Sequence, residues 1–529
     1  MGSTQQHTLS AVLAATVEIS GDQVAMTDGD RNWTYSELSI EAHRVARALI
    51  ATGVVGGQRI AIWSPNVAEW VLTAIGLQLI GAVLVPLNTR LQSNEAIDIL
   101  DRSGASFLFA WSQLEKGSVT DMVQLSARTD LKEIQFFDDG STWAEFIARG
   151  DAITELELDR RVAAVKPSDV MDMLFTSGTT GKPKGVLCTH EQNIRAFTAW
   201  SSTVGLRTDD KYLIINPFFH SFGYKAGWLA ALLVGCEIIP VFSFDQERVM
   251  ALIEEQKITM LPGAPSLYQM ILSHPRRKDF DLSSLRLGVT GAAAVPVALV
   301  EAMRNELGFE TVVTAYGLTE TCGVVSICRP DDDAETIANT SGRAIEGVEL
   351  KCANPDTGEE LARGMEGEIW VRGYNVMLGY FDMPEATAET ITTDGWLRTG
   401  DIGVMDERGY LRITDRLKDM YIMNGENVYP AEVEKTIFSL SGVSQVAVIG
   451  VAKAPQGEVG MAFVVASQGQ TLNAEQIKHW CGQYLASYKI PFYVRLVDSL
   501  PINASGKVVK PELRLLATQL LSAKENDIV

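Results

Sequence analysis

The sequence is poor in the residues that build metal centres and disulfide frameworks. It holds six cysteines and six histidines in 529 residues, and neither type is clustered. No Cys-x-x-Cys pair occurs. This spacing argues against a zinc site or a disulfide scaffold and is typical of core thiols in a reducing compartment.

Long apolar runs are also lacking. The longest, Gly76–Leu87, is about half of the ~20 residues that a helical membrane span needs, and it contains Gln78 and Pro86. The N-terminus shows no signal-peptide pattern, and Gln6 stands where a myristoylation signal needs Ser or Thr. We therefore expect a cytoplasmic protein without a membrane span.

Basic residues are scarce relative to acidic ones. The chain has 45 Lys and Arg against 66 Asp and Glu, a net charge of −21. A field of that sign repels polyanions, so we expect no nucleic-acid partner. An anionic ligand must then be bound by a few local cations and by backbone N–H groups.

What is present predicts an α/β protein of more than one domain. The chain is longer than the roughly 250–300 residues at which a single core stops growing. Short β-branched runs alternate with amphipathic segments, as in Arg59–Trp63 followed by Ala68–Ile80, and this alternation predicts parallel sheets covered by helices. Between 368 and 413, Gly, Asp and Thr cluster around short strands, which predicts a small barrel-like subdomain. The α/β alternation then resumes after residue 418.

The strongest single signal is a loop rich in Gly, Ser and Thr after the strand-like run Asp172–Phe175. Glycines let successive N–H groups converge on phosphate oxygens, hydroxyls add donors, and lysines add positive charge. It is not a Walker A loop, because Gly178 and Gly181 enclose two residues instead of four and Pro183 follows the lysine. The phosphate-binding candidates are Thr176, Ser177, Gly178, Thr179, Thr180, Gly181, Lys182 and Lys184.

This loop resembles the signature of the adenylate-forming, or AMP-binding, superfamily. That superfamily includes acyl-CoA synthetases, luciferases and peptide-synthetase adenylation domains. Its further motifs follow in order from Trp33 to Lys507, which is nearly the whole chain. The resemblance implies an ATP-dependent carboxylic acid:CoA ligase that works through an acyl-adenylate and uses ATP, Mg²⁺ and coenzyme A. It also implies an N-terminal AMP- and acid-binding domain over residues 1–416 and a mobile C-terminal domain over 417–529.

The resemblance extends to the nucleotide motifs. Tyr316–Glu320 matches the second of them, which implies Thr176 and Glu320 as Mg²⁺ contacts. Lys507 matches the lysine that promotes adenylation, where an ammonium bridges the carboxylate and the α-phosphate. The catalytic set implied is Lys507, His220, Thr176 and Glu320. Beyond the phosphate loop, the implied nucleotide-binding residues are Gly291, Ala292, Ala293, Thr314, Ala315, Tyr316, Gly317, Thr319, Asp401, Arg416 and Lys507.

Two further assignments concern the second half-reaction. The resemblance makes Lys418 the hinge about which the small domain turns between adenylation and thiol transfer. It also implies that a loop with Asn424, Gly425 and Glu426 lines the path of coenzyme A.

Residues that bind the acid are implied by the segment Asn216–Lys225, which resembles the family's aromatic-histidine motif. The implied pocket residues are His220, Phe222, Lys225 and Tyr268. Several stretches, such as Asp172–His190, are similar to bacterial ligases for the propanoate side chain of steroid C/D-ring remnants. A bulky cyclic or aryl propanoate is the implied substrate. Lys225 would either donate to a ring ketone or lie at a helix edge with its ammonium in water.

Other functions remain open at this point. The alternatives are a medium- or long-chain fatty acid CoA ligase, an adenylating enzyme that serves a carrier protein, and a luciferase-like oxidase. A catalytically dead binding module would lack some of Thr176, Glu320, Asp401 and Lys507, and all four are present. The expected partner is a small-molecule acid, and a homodimer is left open.

Overall fold

The computed structural model describes residues 7–114, 117–119, 131–176, 183–291, 295–416, 419–423, 426–453, 457–467, 469–502 and 508–522. The chain divides into two compact units. The first comprises 1–350 with 371–397, and the second comprises 351–370 with 398–529. The domain boundary expected at residue 416 stays a prediction.

Helices form most of the connections between strands. In chain order they are α1 Leu9–Ser20, α2 Tyr35–Ala51, α3 Ala68–Leu79, α4 Ser93–Ser103, α5 Gly140–Arg149, α6 Glu155–Ala163, α7 His190–Val204, α8 Ser221–Gly223, the π-helix Tyr224–Leu229, α9 Ala230–Val234, α10 Gln246–Gln256, α11 Pro265–Ser273, α12 Val297–Glu306, α13 Ala334–Asn339, α14 Pro384–Thr390, α15 Pro430–Phe438, α16 Ala474–Tyr484 and α17 Lys510–Ser522. Within the described ranges, no helix is long and apolar enough to cross a membrane.

The strands are short, as the sequence pattern predicts. They are β1 Val24–Asp28, β2 Arg31–Thr34, β3 Arg59–Trp63, β4 Val83–Pro86, β5 Phe107–Ala110, β6 Gln113–Leu114, β7 Gly117–Ser118, β8 Glu133–Phe136, β9 Val170–Thr176, β10 Lys184–Thr189, β11 Lys211–Ile214, β12 Glu237–Pro240, β13 Leu287–Gly291, β14 Thr311–Tyr316, β15 Ser326–Ile327, β16 Arg343–Ala344, β17 Val348–Ala353, β18 Glu366–Gly373, β19 Gly379–Tyr380, β20 Leu397–Met405, β21 Leu411–Arg416, β22 Tyr421–Met423, β23 Glu426–Val428, β24 Val443–Lys453, β25 Gly457–Ala466 and β26 Tyr493–Leu496.

The first unit is built around a seven-stranded sheet in the order β19-β10-β9-β4-β3-β5-β8. Its centre, from β9 to β8, is parallel, whereas β10 and β19 are antiparallel additions at one edge. The parallel strands read as continuous apolar runs because both of their faces are buried. The expected α/β class is confirmed, with mixed pairing where the chain turns back on itself at β9 and β10.

Two further sheets of the first unit follow the same pattern. The order β11-β12-β1-β2 joins parallel pairs to an antiparallel hairpin, and the order β13-β14-β15-β16 does likewise. Met260 lies outside the named strands and forms isolated parallel bridges to Tyr212 and to Leu287.

Capping residues fix where the key helix α7 begins and ends. Thr189 accepts a hydrogen bond from the Gln192 backbone N–H, and the Gln192 side chain returns one to the Thr189 N–H. Gly205 ends the helix in the left-handed region, with φ of 75°. This arrangement is a capping box followed by a glycine stop, which the sequence itself encodes.

The second unit contains the four-stranded sheet β17-β18-β20-β21, where the barrel-like piece was expected, and a second sheet around β25. Alternate residues of β24 enter different cores: Val448 packs with α15 and α16, while Ile449 packs on the face that α17 covers. Tyr421 lies across Gly450 and Gly460, where a Cβ atom would come within 2.4 Å and 2.3 Å of it, respectively. These glycines are cross-strand partners, so both are needed for the same ring.

Candidate active site

The phosphate loop connects the two strands of a hairpin. Strands β9 and β10 are antiparallel, and Thr176 and Lys184 are Cα partners at the end of the hairpin where the loop begins and ends. The loop candidates Ser177, Gly178, Thr179, Thr180, Gly181 and Lys182 lie outside the described residues. The structure thus brings the first and last phosphate-binding candidates together at the ends of neighbouring strands.

Glu320 is connected to this hairpin through a residue that the sequence analysis missed. The Tyr380 hydroxyl donates to Glu320 Oε1 at 2.9 Å, and Lys184 Nζ lies 4.6 Å from the centre of the Tyr380 ring. Burial, and then the charge of Glu320, raises the pKa of Tyr380 well above its ordinary value, so the phenol stays a donor. A lone Gly-Tyr pair carries no motif. Only the pairing of β19 with β10 brings Tyr380 to this place.

The second nucleotide motif follows β14 and turns tightly. Thr319 and Glu320 lie in a 3-10 turn, Thr319–Thr321. A Cβ atom on Gly317 would come within 2.2 Å of the Gly323 carbonyl oxygen, so only glycine fits there. The Thr314 hydroxyl is buried and has the carbonyls of Ile337 and Thr340 at 3.1 Å and 3.0 Å. A nucleotide contact at Thr314 would therefore come from its backbone.

Gly291 and Ala315 are Cα partners on β13 and β14. A Cβ atom on Gly291 would lie 3.1 Å from the Ala315 carbonyl oxygen, so the glycine permits this close approach. Both residues come at the carboxyl ends of parallel strands, where ligands of open α/β sheets bind. The neighbouring candidates Ala292 and Ala293 lie outside the described residues.

The residues of the predicted acid pocket differ in exposure. His220 is exposed and caps α8, with Nδ1 accepting from the Phe222 backbone N–H at 3.1 Å. A neutral His220 would then carry its proton on Nε2. Tyr268 is fully buried, and its hydroxyl has the carbonyls of Leu261 and Val289 at 2.8 Å and 3.2 Å. A contact of Tyr268 with the acid would therefore come from its ring rather than its hydroxyl.

Lys225 lies in the π-helix directly after this segment and is buried completely. Its Nζ lies 3.0 Å from Asp172 Oδ1, and both side chains are 0% exposed. The sequence analysis left open a lysine at a helix edge with its ammonium in water, and that alternative is wrong. Asp172 on β9 supplies its counter-charge instead. Donation to a ring ketone stays a prediction, and it would require the π-helix to open.

Further polar groups surround this ion pair. Asn193 Nδ2 donates to Asp172 Oδ2 at 2.7 Å, the Tyr224 hydroxyl donates to the same oxygen at 3.3 Å, and Gln78 Nε2 donates to the Tyr224 hydroxyl at 2.8 Å. Burial raises the pKa of the Asp172 carboxyl, whereas the Lys225 ammonium lowers it. Burial alone would lower the pKa of Lys225, but the charge of Asp172, with smaller contributions from Cys188 and Cys322, raises it overall. At 3.0 Å we expect the ionised pair at neutral pH.

In the second unit, two residues predicted to bind the nucleotide lie side by side. Asp401 on β20 and Arg416 on β21 are Cα partners. The Asp401 N–H donates to Thr399 Oγ1 at 3.1 Å, and Gly400, with φ of 70°, donates its N–H to Glu368 Oε1. The turn before Asp401 is thus held by Thr399 and Glu368.

The remaining candidates cannot be placed. Lys418, Asn424, Gly425 and Lys507 lie outside the described residues, and Glu426 is described only as the first residue of β23. No cluster of three or more His, Cys, Asp or Glu side chains occurs in the described part of the chain. A Mg²⁺ ion carried by ATP needs only one or two protein oxygens, so Thr176 and Glu320 suit such an ion.

Comparison with known proteins decides the family. The family model for the AMP-binding enzyme matches residues 13–381, and that for the AMP-binding enzyme C-terminal domain matches residues 432–507. The chain belongs to the AMP-binding enzyme family.

Two curated relatives are similar over nearly their whole length. The chain is 49% identical over 513 residues to the Mycobacterium tuberculosis 3-[(3aS,4S,7aS)-7a-methyl-1,5-dioxo-octahydro-1H-inden-4-yl]propanoyl:CoA ligase, covering 96% of this chain and 99% of that protein. It is 48% identical over 526 residues to the ligase of the same name from Rhodococcus jostii, again covering 96% and 99%.

Two solved structures are similar to this chain over nearly its whole length. The anthranilate CoA ligase AuaEII in complex with anthranoyl-AMP has a TM-score of 0.87 at 27% identity and covers 98% of each chain. ATP-bound MatB from Rhodopseudomonas palustris has a TM-score of 0.83 at 28% identity and covers 96% of this chain and 99% of its own. This AMP-binding enzyme is an acyl-CoA ligase that uses ATP and coenzyme A and proceeds through an acyl-adenylate.

Proposed function

We propose that this ligase activates a bulky cyclic propanoate and that the residues predicted from the sequence carry out the two half-reactions. The observation that supports the site is the hydrogen bond from Tyr380 to Glu320, beside Lys184. It joins the base of the phosphate hairpin to the second nucleotide motif within one unit. A carboxylate, a hydroxyl and an ammonium are thereby gathered where a polyphosphate would lie.

In the adenylation step, a carboxylate oxygen of the acid attacks the α-phosphorus of ATP. The new bond is acyl–O–P, and the bond to pyrophosphate breaks. The backbone and side chains of 176–184 hold the phosphates, and Asp401 and Arg416 bind the ribose and nucleotide. The Lys507 ammonium bridges the incoming carboxylate and the α-phosphate, which offsets the repulsion between two anions.

Mg²⁺, when bound with ATP, neutralises phosphate charge and fixes the orientation of the leaving group. Glu320 and the Thr176 hydroxyl would hold it. Tyr380 donates to Glu320 Oε1 and would orient this carboxylate. His220 and Phe222 border the acid carboxylate.

In the second step, the deprotonated sulfur of coenzyme A attacks the acyl carbon, and AMP leaves with both electrons of the acyl–O bond. We propose that the small domain turns about Lys418 between the two steps, which withdraws Lys507. The loop with Asn424, Gly425 and Glu426 then lines the thiol's path. The motion reuses one site for two chemistries.

The substrate proposal rests on the two relatives, whose names specify a bicyclic propanoate that carries two ketones. A propanoate side chain places the reacting carboxylate away from a bulky ring system. Trp228, on the same π-helix as Lys225, has a buried indole N–H without an acceptor among the described residues. Such donors match a substrate whose ring oxygens only accept hydrogen bonds.

The test measures CoA-ester formation and acid-dependent ATP–pyrophosphate exchange. The acids are the bicyclic diketone propanoate, its analogue without the two ketones, an aryl-propanoate and decanoate. We expect the diketone to have the highest kcat/KM, and the Lys507→Ala variant to lose exchange by about 100-fold or more. Preference for decanoate would support the fatty acid alternative. Exchange without CoA-ester formation would support a carrier-protein or luciferase-like second step.

A cytoplasmic location and a homodimer complete the proposal. The six cysteines are all buried and free of disulfides, which suits a reducing compartment. Size-exclusion chromatography with light scattering tests the dimer.

A further inference from the structure

A second cavity of about 470 Å³ lies in the first unit, away from the nucleotide motifs. Its walls include the first residues of three parallel strands, Arg59 of β3, Val83 of β4 and Val170 of β9. Thr176, at the phosphate loop, is the last residue of β9. At about 3.3 Å per residue, the two ends of β9 are roughly 20 Å apart. These first residues therefore lie at the amino ends of the parallel strands, opposite the end at which β9 leads into the phosphate loop.

The interior of this cavity is mainly apolar. The side chains that provide this character are Ile80, Val83, Val165, Met173, Leu187 and Phe381. Gly56, Gly57 and Gly81 also line it and leave its walls open. The volume lies within the roughly 300–1,000 Å³ typical of small-molecule sites, which are mostly apolar with a few polar groups.

Two guanidinium groups line the same cavity. Arg59 donates from Nε to the Ser103 carbonyl at 2.8 Å and lies 5.3 Å from the Phe381 ring centre. Arg161 donates from Nη2 to the Val54 carbonyl at 2.7 Å. These contacts hold both groups in place through neutral partners.

Neither guanidinium forms an ion pair with a carboxylate within the described ranges, although the charge of Arg161 helps to lower the pKa of Glu157. Asp169 also lines the cavity, but its Oδ2 accepts from the Lys166 N–H at 2.9 Å. By contrast, Arg160, next to Arg161 on α6, forms a 2.8 Å ion pair with Glu157. In a chain of net charge −21, two arginines that form no direct ion pair with a carboxylate at one apolar cavity favour an anionic ligand.

We propose that this cavity is a second ligand site, which binds an amphipathic monocarboxylate. Its apolar body lies against Met173, Leu187 and Phe381, and its carboxylate is held by Arg59 and Arg161. The planar guanidinium fork matches a carboxylate, and such charge-assisted hydrogen bonds are stronger than neutral ones. An occupant would contact β9 and β10, the two strands that flank the phosphate loop.

The experiment uses the full chain and a decanoate probe with a diazirine at its chain end. After irradiation, labelled peptides are mapped by mass spectrometry, with decanoate, decanol and inorganic phosphate as competitors. We expect label on the segments 80–83 and 165–173, and protection by decanoate but by neither decanol nor phosphate.

Two variants change the site in different ways. Arg161→Gln removes one charge, and Ala164→Phe fills the cavity from an exposed position that lines it. Arg161→Gln should reduce labelling there about tenfold, the effect of losing one charge-assisted hydrogen bond. Ala164→Phe should also reduce it, because the new ring takes the space of the apolar body. Arg160→Gln, on the same helix but outside the cavity, should leave labelling unchanged.

Three outcomes would overturn the proposal: no label on these segments, labelling of both variants equal to that of the wild type, or equal protection by decanol. Label near His220 reports separately on the acid pocket, so failure of this site and failure of the proposed function can be told apart.

Discussion

Two buried ion pairs of the first unit differ in how completely their atoms are hydrogen-bonded. Asp210 and Arg286 are 2% and 12% exposed. Arg286 bonds both carboxylate oxygens, while Thr259 Oγ1 and the Arg207 N–H donate to Asp210 as well, each at 2.7 Å. Both carboxylate oxygens of Asp210 thus accept hydrogen bonds, as expected for an ion pair with a purely structural role.

The Asp172–Lys225 pair is more deeply buried but less satisfied. Lys225 Nζ and Asp172 Oδ1 lie 3.0 Å apart, yet neither atom has an aligned hydrogen bond within the described structure. One partner belongs to the strand that leads into the phosphate loop, and the other to the π-helix that follows His220. π-helices occur frequently at functional sites. The comparison indicates a pair that positions the acid-binding segment against the nucleotide-binding strand.

The largest expected effect is that of Lys225→Met, which leaves Asp172 buried without its counter-charge. We expect the free energy of unfolding to fall by about 3–5 kcal/mol at neutral pH. The loss should shrink as the pH falls, because a protonated Asp172 no longer needs a counter-charge. Urea unfolding between pH 4 and pH 8 measures both.

The double variant Lys225→Met with Asp172→Asn distinguishes a positioning role of the ion pair from a purely structural one. Removing both charges should restore most of the stability. If the pair positions the His220 segment, kcat for the acid stays low while KM for ATP is unchanged. If kcat returns with stability, the pair is structural only, like that of Asp210.

A pH effect of about 3 kcal/mol is expected from His190, the first residue of α7, which also carries Asn193. Burial lowers the pKa of His190 to about 4, although Asp169 opposes the shift. Its ordinary value is 6.5, so the unfolded chain gains a proton first as the pH falls. The stabilising contribution is complete above pH 6.5 and is lost between pH 6.5 and 4.

The variant His190→Gln checks this assignment. Its amide oxygen can still accept the hydrogen bond that His190 Nδ1 accepts from the Leu9 N–H. The free energy of unfolding of the variant should change less with pH than that of the wild type over the same pH range. An equally steep loss would show that other groups cause it.

A smaller effect, about 2 kcal/mol, is expected for Arg286→Met. Asp210 keeps its hydrogen bonds from Thr259 and Arg207, so the remaining carboxylate is better compensated than Asp172 would be. Kinetic constants for the acid and for ATP should not change. A loss as large as that of Lys225→Met would remove the distinction between the two pairs.

The smallest effect is that of Tyr380→Phe, which removes one hydrogen bond to Glu320. We expect kcat to fall by about tenfold, corresponding to roughly 1.4 kcal/mol. The Mg²⁺ concentration for half-maximal rate should rise because Glu320 is less firmly oriented. Tyr484→Phe, at an exposed tyrosine of the second unit, is the matched control and should have no effect.

Much of the fold was predictable because it depends on local pattern. Arg59–Trp63 forms a strand as expected, and the helix from Ala68 ends at Leu79, one residue short of the predicted end. Apolar runs and capping residues act over a few neighbours, so a single sequence reveals them. The antiparallel return of β10 was not foreseen, because strand direction depends on which strands pair.

The sequence by itself determined the family, the phosphate loop, the second nucleotide motif and the order of the elements, since each is encoded in residues close together in the chain. Only the tertiary structure decided that Tyr380 reaches Glu320, that Lys225 faces Asp172 instead of solvent, and that Arg59 and Arg161 share an apolar cavity. Those contacts join residues 53 to 102 positions apart. Packing and sheet register bring them together, and neither is written in any local stretch of sequence.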